Sequence, residues 1–245
     1  MRPDVIDLRD FYHGPLGQVA RNLLREQVRR IWPDLRGQSL LGLGYATPYL
    51  RPFVGEAERV IALMPAQQGI IRWPGSGANL TALIEAPELP LPDASIDRVL
   101  LVHDIENAEN VRALLREVWR VLGPAGRLLA VVPNRRGLWS RIERTPFGQG
   151  RPYSQGQLSR LLREALFQPT ERGAALYLPP FRSRMLLRTA PLWERVGHWL
   201  GPTVAGILLV EADKQVYAVT AVGARAQLRR RRAPVAIVGG AQRKS

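Results

Sequence analysis

The 245-residue chain contains no cysteine. That excludes a disulfide scaffold, a cysteine-ligated zinc or iron–sulfur centre and a thiol nucleophile. Lysine is nearly absent as well: 33 of the 35 basic residues are arginine. Genomic base composition and selection for anion binding are both adequate explanations of that bias. No apolar run approaches the ~18 residues of a membrane span. The opening Met1-Arg2-Pro3-Asp4 leads into a charged segment with no signal-peptide core, so a cytoplasmic protein is expected. There is no internal repeat and no phosphate-cradling P-loop. The three histidines are too scattered for a metal site.

What is present is ordinary globular material with an unusual charge. Hydrophobic residues make up 46% of the chain and charged residues 23%, enough for a sizeable core. The formal net charge is +14. Half of that excess sits in residues 225–245, which hold seven basic residues and no acid. Residues 223–245 are therefore expected to be a flexible basic tail. Nucleic acid, anionic lipid and plain solubility are all open as its role.

Residues 5–31 read as helical, interrupted at Gly14-Pro15 and ended by Trp32-Pro33. Apolar runs at 39–44, 59–64, 79–85, 96–102 and 127–132 predict five strands, and residues 170–178 and 206–221 predict two more. Tyr49 to Phe53, residues 108–122 and a segment capped by Ser154 predict helices between them, and Gly123-Pro124-Ala125-Gly126 reads as a helix stop and turn. Strand–helix alternation with continuously apolar strands implies an α/β fold with a mostly parallel sheet. Arg182 to Leu200 predicts a helical insertion. Tyr177 to Phe181 with Trp193 to Leu200 is equally compatible with a lid, an oligomer contact and a membrane-surface patch.

Three segments carry a family resemblance: Leu41-Gly42-Leu43-Gly44-Tyr45-Ala46-Thr47, Leu89-Pro90-Leu91-Pro92-Asp93-Ala94-Ser95-Ile96-Asp97-Arg98-Val99-Leu100, and Glu117-Val118-Trp119-Arg120-Val121-Leu122-Gly123-Pro124-Ala125-Gly126-Arg127-Leu128. With them the chain resembles the class I S-adenosylmethionine-dependent methyltransferases, particularly the methyltransferase type 11 group. The resemblance implies a Rossmann-like seven-stranded sheet flanked by helices over residues 1–222, with residues 1–37 as a helical cap. It implies S-adenosylmethionine as cofactor, held by Gly42, Leu43, Gly44, Tyr45 and Ala46 of the first loop, Met64 and Pro65 after the second strand, and Glu85 and Ala86 after the third. Tyr12 and His13 then belong to a segment that folds over the cofactor and meets the acceptor.

This chain departs from the family at several positions. Gly42 stands where the family usually has an acid, and Ala46 and Pro48 where it has glycines. Met64 replaces the acid that holds the ribose hydroxyls, a loss of roughly 1.5–3 kcal/mol. A dinucleotide fingerprint is excluded, since Gly42-x-Gly44 continues to Thr47 and residues 60–66 contain no acid.

His103, at the end of the fourth strand, is the candidate catalytic base, with a cleft-lining histidine as the plainer reading. Asp104 and Glu106 read first as solvated acids at a helix start and alternatively as partners for the imidazole. His198 reads as packing. Asn134, Arg135, Arg151 and Tyr153 are candidates for substrate contact, against a solvated basic loop. The expected function is methyl transfer from S-adenosylmethionine to a small-molecule or lipid-like acceptor. An RNA methyltransferase and a non-catalytic binding or regulatory module are the alternatives.

Overall fold

Five apolar runs become parallel strands: β1 (Ser39–Gly44), β2 (Arg59–Pro65), β3 (Thr81–Ile84), β4 (Ile96–Val102) and β5 (Leu122–Pro133). Two later strands, β6 (Phe167–Ala175) and β7 (Ile207–Lys214), complete the sheet in the order β3-β2-β1-β4-β5-β7-β6. β7 runs antiparallel to both of its neighbours. The sheet is the mostly parallel, seven-stranded one expected from sequence. Its order reverses between β1 and β4, so the carboxyl ends of these two strands border the crevice where open α/β sheets bind ligands. The computed structural model describes residues 2–85, 88–180 and 183–216, and residues up to Gln215 form one unit.

Alternation along each strand builds a core on both faces. On one face Leu40, Ala62, Met64, Leu100, Val102 and Leu129 pack beneath α1 (Val5–His13) and α2 (Pro15–Ile31). On the other, Leu41, Leu43, Val99, Leu101 and Leu128 pack beneath α4 (Val111–Val121) and α5 (Gln155–Glu164). A short α3 (Thr47–Leu50) follows β1 directly. α1 and α2 break at Gly14, as expected. Its N–H bonds back to the Asp10 and Phe11 carbonyls, and Pro15 starts the next helix, where a missing N–H does no harm. Ser154 caps α5 in a capping box with Gln157.

The second and third sequence segments are joined by one side chain. Arg120, on α4, donates to the carbonyls of Leu89 and Leu91 and to the carboxylates of Asp93 and Glu117. Glu117 in turn accepts from the Leu89 N–H. The proline-rich loop before β4 is thus fastened to α4 by charge-assisted bonds. Arg120→Ala is expected to lower unfolding free energy by about 2 kcal/mol, measurable by urea denaturation.

β5 begins at Leu122, earlier than expected, and residues 123–126 turn within it as the sequence predicts: a Cβ on Gly126 would lie 2.8 Å from the Gly123 carbonyl oxygen and 3.0 Å from the Leu122 Cβ. Leu122 turns from the helix into extended backbone and pairs with Ile96, and the register shifts before Arg98. The Ala94 and Ser95 N–H groups bond to the Arg120 and Val121 carbonyls, which holds the segment beside the sheet. The insertion before β7 contains α6 (Arg184–Leu187) and α7 (Ala190–Leu200). Among the described residues no helix is long and apolar enough to cross a membrane. The expectations for Ala86, Phe181, Arg182, the His198 side chain and the basic tail lie outside the described residues.

Candidate functional site

The site is built where β1 and β4 end side by side. Gly44 closes β1 with φ +73°, a conformation that favours glycine, and a Cβ there would collide with the Val102 carbonyl oxygen. The Tyr45 N–H donates to that same carbonyl at 2.9 Å. Gly42 is required for another reason. A Cβ on it would lie 2.6 Å from Leu50 Cδ1 and 2.7 Å from the Ala46 methyl. The loss of the family's acid at position 42 and the presence of Leu50 and Ala46 are therefore one packing solution.

α1 lies over these strand ends with Val5, Leu8 and Tyr12 buried. The Tyr12 ring stacks on Tyr45, with centroids 5.5 Å apart and planes 10° from parallel. Tyr49 and Phe147 meet it edge-on. Burial pushes the Tyr45 phenol up to about 12 and raises those of Tyr12 and Tyr49 as well, so all three are neutral.

A buried hydrogen-bond chain runs through this cluster. Tyr49 O–H donates to the Tyr12 oxygen at 3.0 Å. Tyr12 then donates to His103 Nε2 at 2.8 Å. That leaves the imidazole proton on Nδ1, which donates to Glu106 Oε1 at 3.2 Å. This arrangement pairs every hydroxyl and both ring nitrogens. His103 itself leaves β4 at φ +56°, an uncommon conformation for a side-chain-bearing residue and one that recurs at functional sites. Phe147 packs on its ring at 4.8 Å.

Asp104 and Glu106 are buried, contrary to the first reading of them as solvated acids. Glu106 orients the imidazole. Asp104 pairs with Arg2 at 2.6 Å, with side chains 2% and 5% exposed. Burial still pushes the Asp104 carboxyl above the usual range.

Several buried polar atoms around these strand ends have no partner: both amide atoms of Gln68 just after β2, Glu106 Oε2, Asn107 Oδ1 and Arg2 Nε. Unpaired groups of this kind are rare in a finished interior and common where a ligand binds. Yet the space is small. A cavity of about 110 Å³ is lined by Arg2, Gln67, Asp104, Ala108, Glu109, Asn110 and Leu114. A nucleoside-sized ligand needs roughly 300 Å³ or more.

The remaining sequence candidates are placed as follows. Leu43, Met64 and Pro65 are buried, and Met64 packs within the core under α1 and α2. Glu85 is exposed just beyond β3. His13 is exposed, and its Nδ1 bonds to the Arg9 carbonyl on its own helix. Asn134 is buried, with its amide donating to the carbonyls of Pro202, Thr203 and Ala205. It ties the end of β5 to the loop before β7. The Arg135 and Arg151 side chains are exposed, while the Arg151 N–H bonds to the Glu106 carbonyl. Tyr153 is half-buried against the core under α4 and α5. Sequence reasoning had no role for Tyr49, Arg2 or Phe147. Only the proline and glycine around Phe147 marked its loop as special.

The chain matches the family described as "Methyltransferase domain" over residues 41–130. Those residues run from β1 through most of β5, and they include the loop and strand ends just described. Over those residues the chain is similar to the S-adenosylmethionine-dependent methyltransferases. The family's cofactor is S-adenosylmethionine. A Rubrivivax gelatinosus protein named "Ubiquinone/menaquinone biosynthesis C-methyltransferase UbiE" is 41% identical over 126 residues, half of each chain. The chain spans about half the length of that curated relative. Its fold is shared with a Thermotoga maritima S-adenosylmethionine-dependent methyltransferase, a possible histamine N-methyltransferase, at TM-score 0.59 and 16% identity, covering 86% of this chain and 96% of that one. The Burkholderia thailandensis 1,6-didemethyltoxoflavin-N1-methyltransferase, solved with its substrate and S-adenosylhomocysteine, matches at TM-score 0.51 and 15% identity over 86% of each chain.

That cofactor requires more space than the cavity of about 110 Å³ beside these strand ends offers. Its polar partners are there in part: the glycine turn at Gly44, the unpaired Gln68 amide and the exposed Glu85. These groups suit the cofactor in kind, and the cavity beside them would have to widen to hold it.

Proposed function

We propose that this chain transfers the methyl group of S-adenosylmethionine to a small or lipid-like acceptor bearing a phenol-type hydroxyl. The observation that carries the reading is the Tyr12–His103–Glu106 chain at the end of β4. Tyr12 presents a phenol to His103 Nε2 at hydrogen-bond distance, the place an acceptor's hydroxyl takes when α1 lifts. His103 Nε2 is free of its proton and able to receive one, while Glu106 holds Nδ1 and stabilises the imidazolium that results. Backbone at Gly44 and Tyr45, with Gln68 and Glu85, would hold S-adenosylmethionine, which supplies the electrophilic methyl group when bound. The relative named a quinone-biosynthesis C-methyltransferase supports an acceptor of phenolic type.

The test is a turnover assay with methyl-labelled S-adenosylmethionine and a panel of demethylated hydroquinones and simpler phenols. Label transfer is expected, with His103→Gln lowering kcat without weakening S-adenosylhomocysteine binding. Label transfer unaffected by His103→Gln would remove the assigned base. A second reading, a non-catalytic module, is favoured by the small cavity beside Arg2 and Asp104. It requires that neither S-adenosylmethionine nor S-adenosylhomocysteine bind at all.

A further inference from the structure

α7 is inverted relative to an ordinary surface helix. Its buried face is small or polar. Ala190, Glu194 and Gly197 recur at i, i+4 and i+7, and Glu194 Oε1 accepts the Tyr177 N–H at 2.7 Å. A Cβ at position 197 would run into the Tyr177 ring, so the helix docks closely there. The opposite face carries Leu192, Val196 and Trp199, again at i, i+4 and i+7. Leu192 is 58% exposed and Trp199 88%. The preceding α6 adds Met185, 81% exposed, and the partly exposed Leu186. A soluble helix normally turns its apolar stripe inward. Contiguous exposed apolar surface of this size marks an interaction site.

The charge around the patch identifies the partner. Arg188 and Arg195 are exposed beside it, and the one acid in residues 183–206, Glu194, is buried under the helix. The face is therefore apolar with a solely basic exposed charge, on a chain of formal net charge +14. Arginine stems lie along apolar surface while their heads reach outward, and a tryptophan on such a face settles at the headgroup level. The same helices form one wall of a groove of about 470 Å³ against α2, lined by Val19, Leu23, Leu187 and Pro191 among others.

We propose that α6 and α7 form a docking surface for an anionic lipid bilayer, with Leu192, Val196, Trp199 and Met185 entering the interface and Arg188 and Arg195 meeting the headgroups. This goes beyond the methyl-transfer reading and does not depend on it.

The experiment is co-sedimentation of the full chain with phosphatidylglycerol/phosphatidylcholine vesicles and with phosphatidylcholine vesicles alone. Tryptophan quenching by brominated acyl chains is read in parallel. Binding is expected to the anionic vesicles, with quenching. Leu192→Ser/Trp199→Ser should lower the partition coefficient at least tenfold and remove most of the quenching. Both residues are exposed, so the melting temperature serves as the folding control. Substituting Arg229 to Arg232 with glutamine in the full chain controls for the tail and should leave quenching in place. Three outcomes overturn the proposal: unchanged binding by the double variant, loss of quenching on tail substitution alone, or no vesicle binding together with a dimer that the double variant disperses. The last would assign the face to a second copy of the chain.

Discussion

Tyr12→Ala is expected to tighten S-adenosylhomocysteine binding at least tenfold. Tyr12, with Val5 and Leu8, is one of the buried side chains holding α1 over the strand ends. It stacks on Tyr45, meets Tyr49 and Phe147, and bonds to His103. Removing a buried aromatic of this kind withdraws about 3–5 kcal/mol of packing. Wherever a ligand must wait for an open form, its apparent affinity falls by the fraction of molecules that are open. Weakening the closed form raises that fraction, and the packing energy sets the ceiling on the gain. The same substitution lowers the melting temperature. Tyr12→Phe is the gentler companion: it keeps the stack and strands the Tyr49 hydroxyl and His103 Nε2 without their partner. Its affinity should fall between wild type and Tyr12→Ala, and isothermal titration measures all three. Equal affinities across the series would show that α1 does not gate the site.

The second large effect is a restoration that should fail. Gly42→Asp returns the acid that the family usually carries, yet it is expected to destabilise the fold by about 4 kcal/mol. The new Cβ would lie 2.6 Å from Leu50 Cδ1 and 2.7 Å from the Ala46 methyl, and overpacking alone costs about 1–3 kcal/mol. A carboxylate placed among fully buried apolar groups adds a desolvation penalty. For a domain of this size the melting temperature should drop by roughly 10 °C. Leu50→Ala in the same chain opens space and should recover part of the loss despite being destabilising alone. An unchanged melting temperature in Gly42→Asp would mean that the loop is not packed as described.

Much of this was legible in the sequence, for identifiable reasons. Strands buried on both faces appear as continuous apolar runs, so β1, β2 and β4 were placed within a residue. Gly14-Pro15 announced the break between α1 and α2 because the proline has no N–H to give. What escaped was whatever depends on partners far away along the chain. Tyr12 and His13 are adjacent and equally polar, but one faces inward and the other does not, and only the packing of α1 decides which. Asp104 and Glu106 look like solvated acids until Arg2 and His103 are brought to them. Asn134 resembles a rim residue, and its three carbonyl partners lie 68 to 71 residues later. Residues 123–126 read as a turn from their glycines and proline and do turn, but the pairing of Leu122 with Ile96 that starts β5 before them left no local signal.

The central claim is that a cofactor site of this family persists beneath α1. It is tested most directly by calorimetric titration of the full wild-type chain with S-adenosylhomocysteine. Saturable one-to-one binding is expected, strengthened in Tyr12→Ala. A folded sample that gives no heat up to millimolar ligand, in wild type and in Tyr12→Ala alike, would contradict the account.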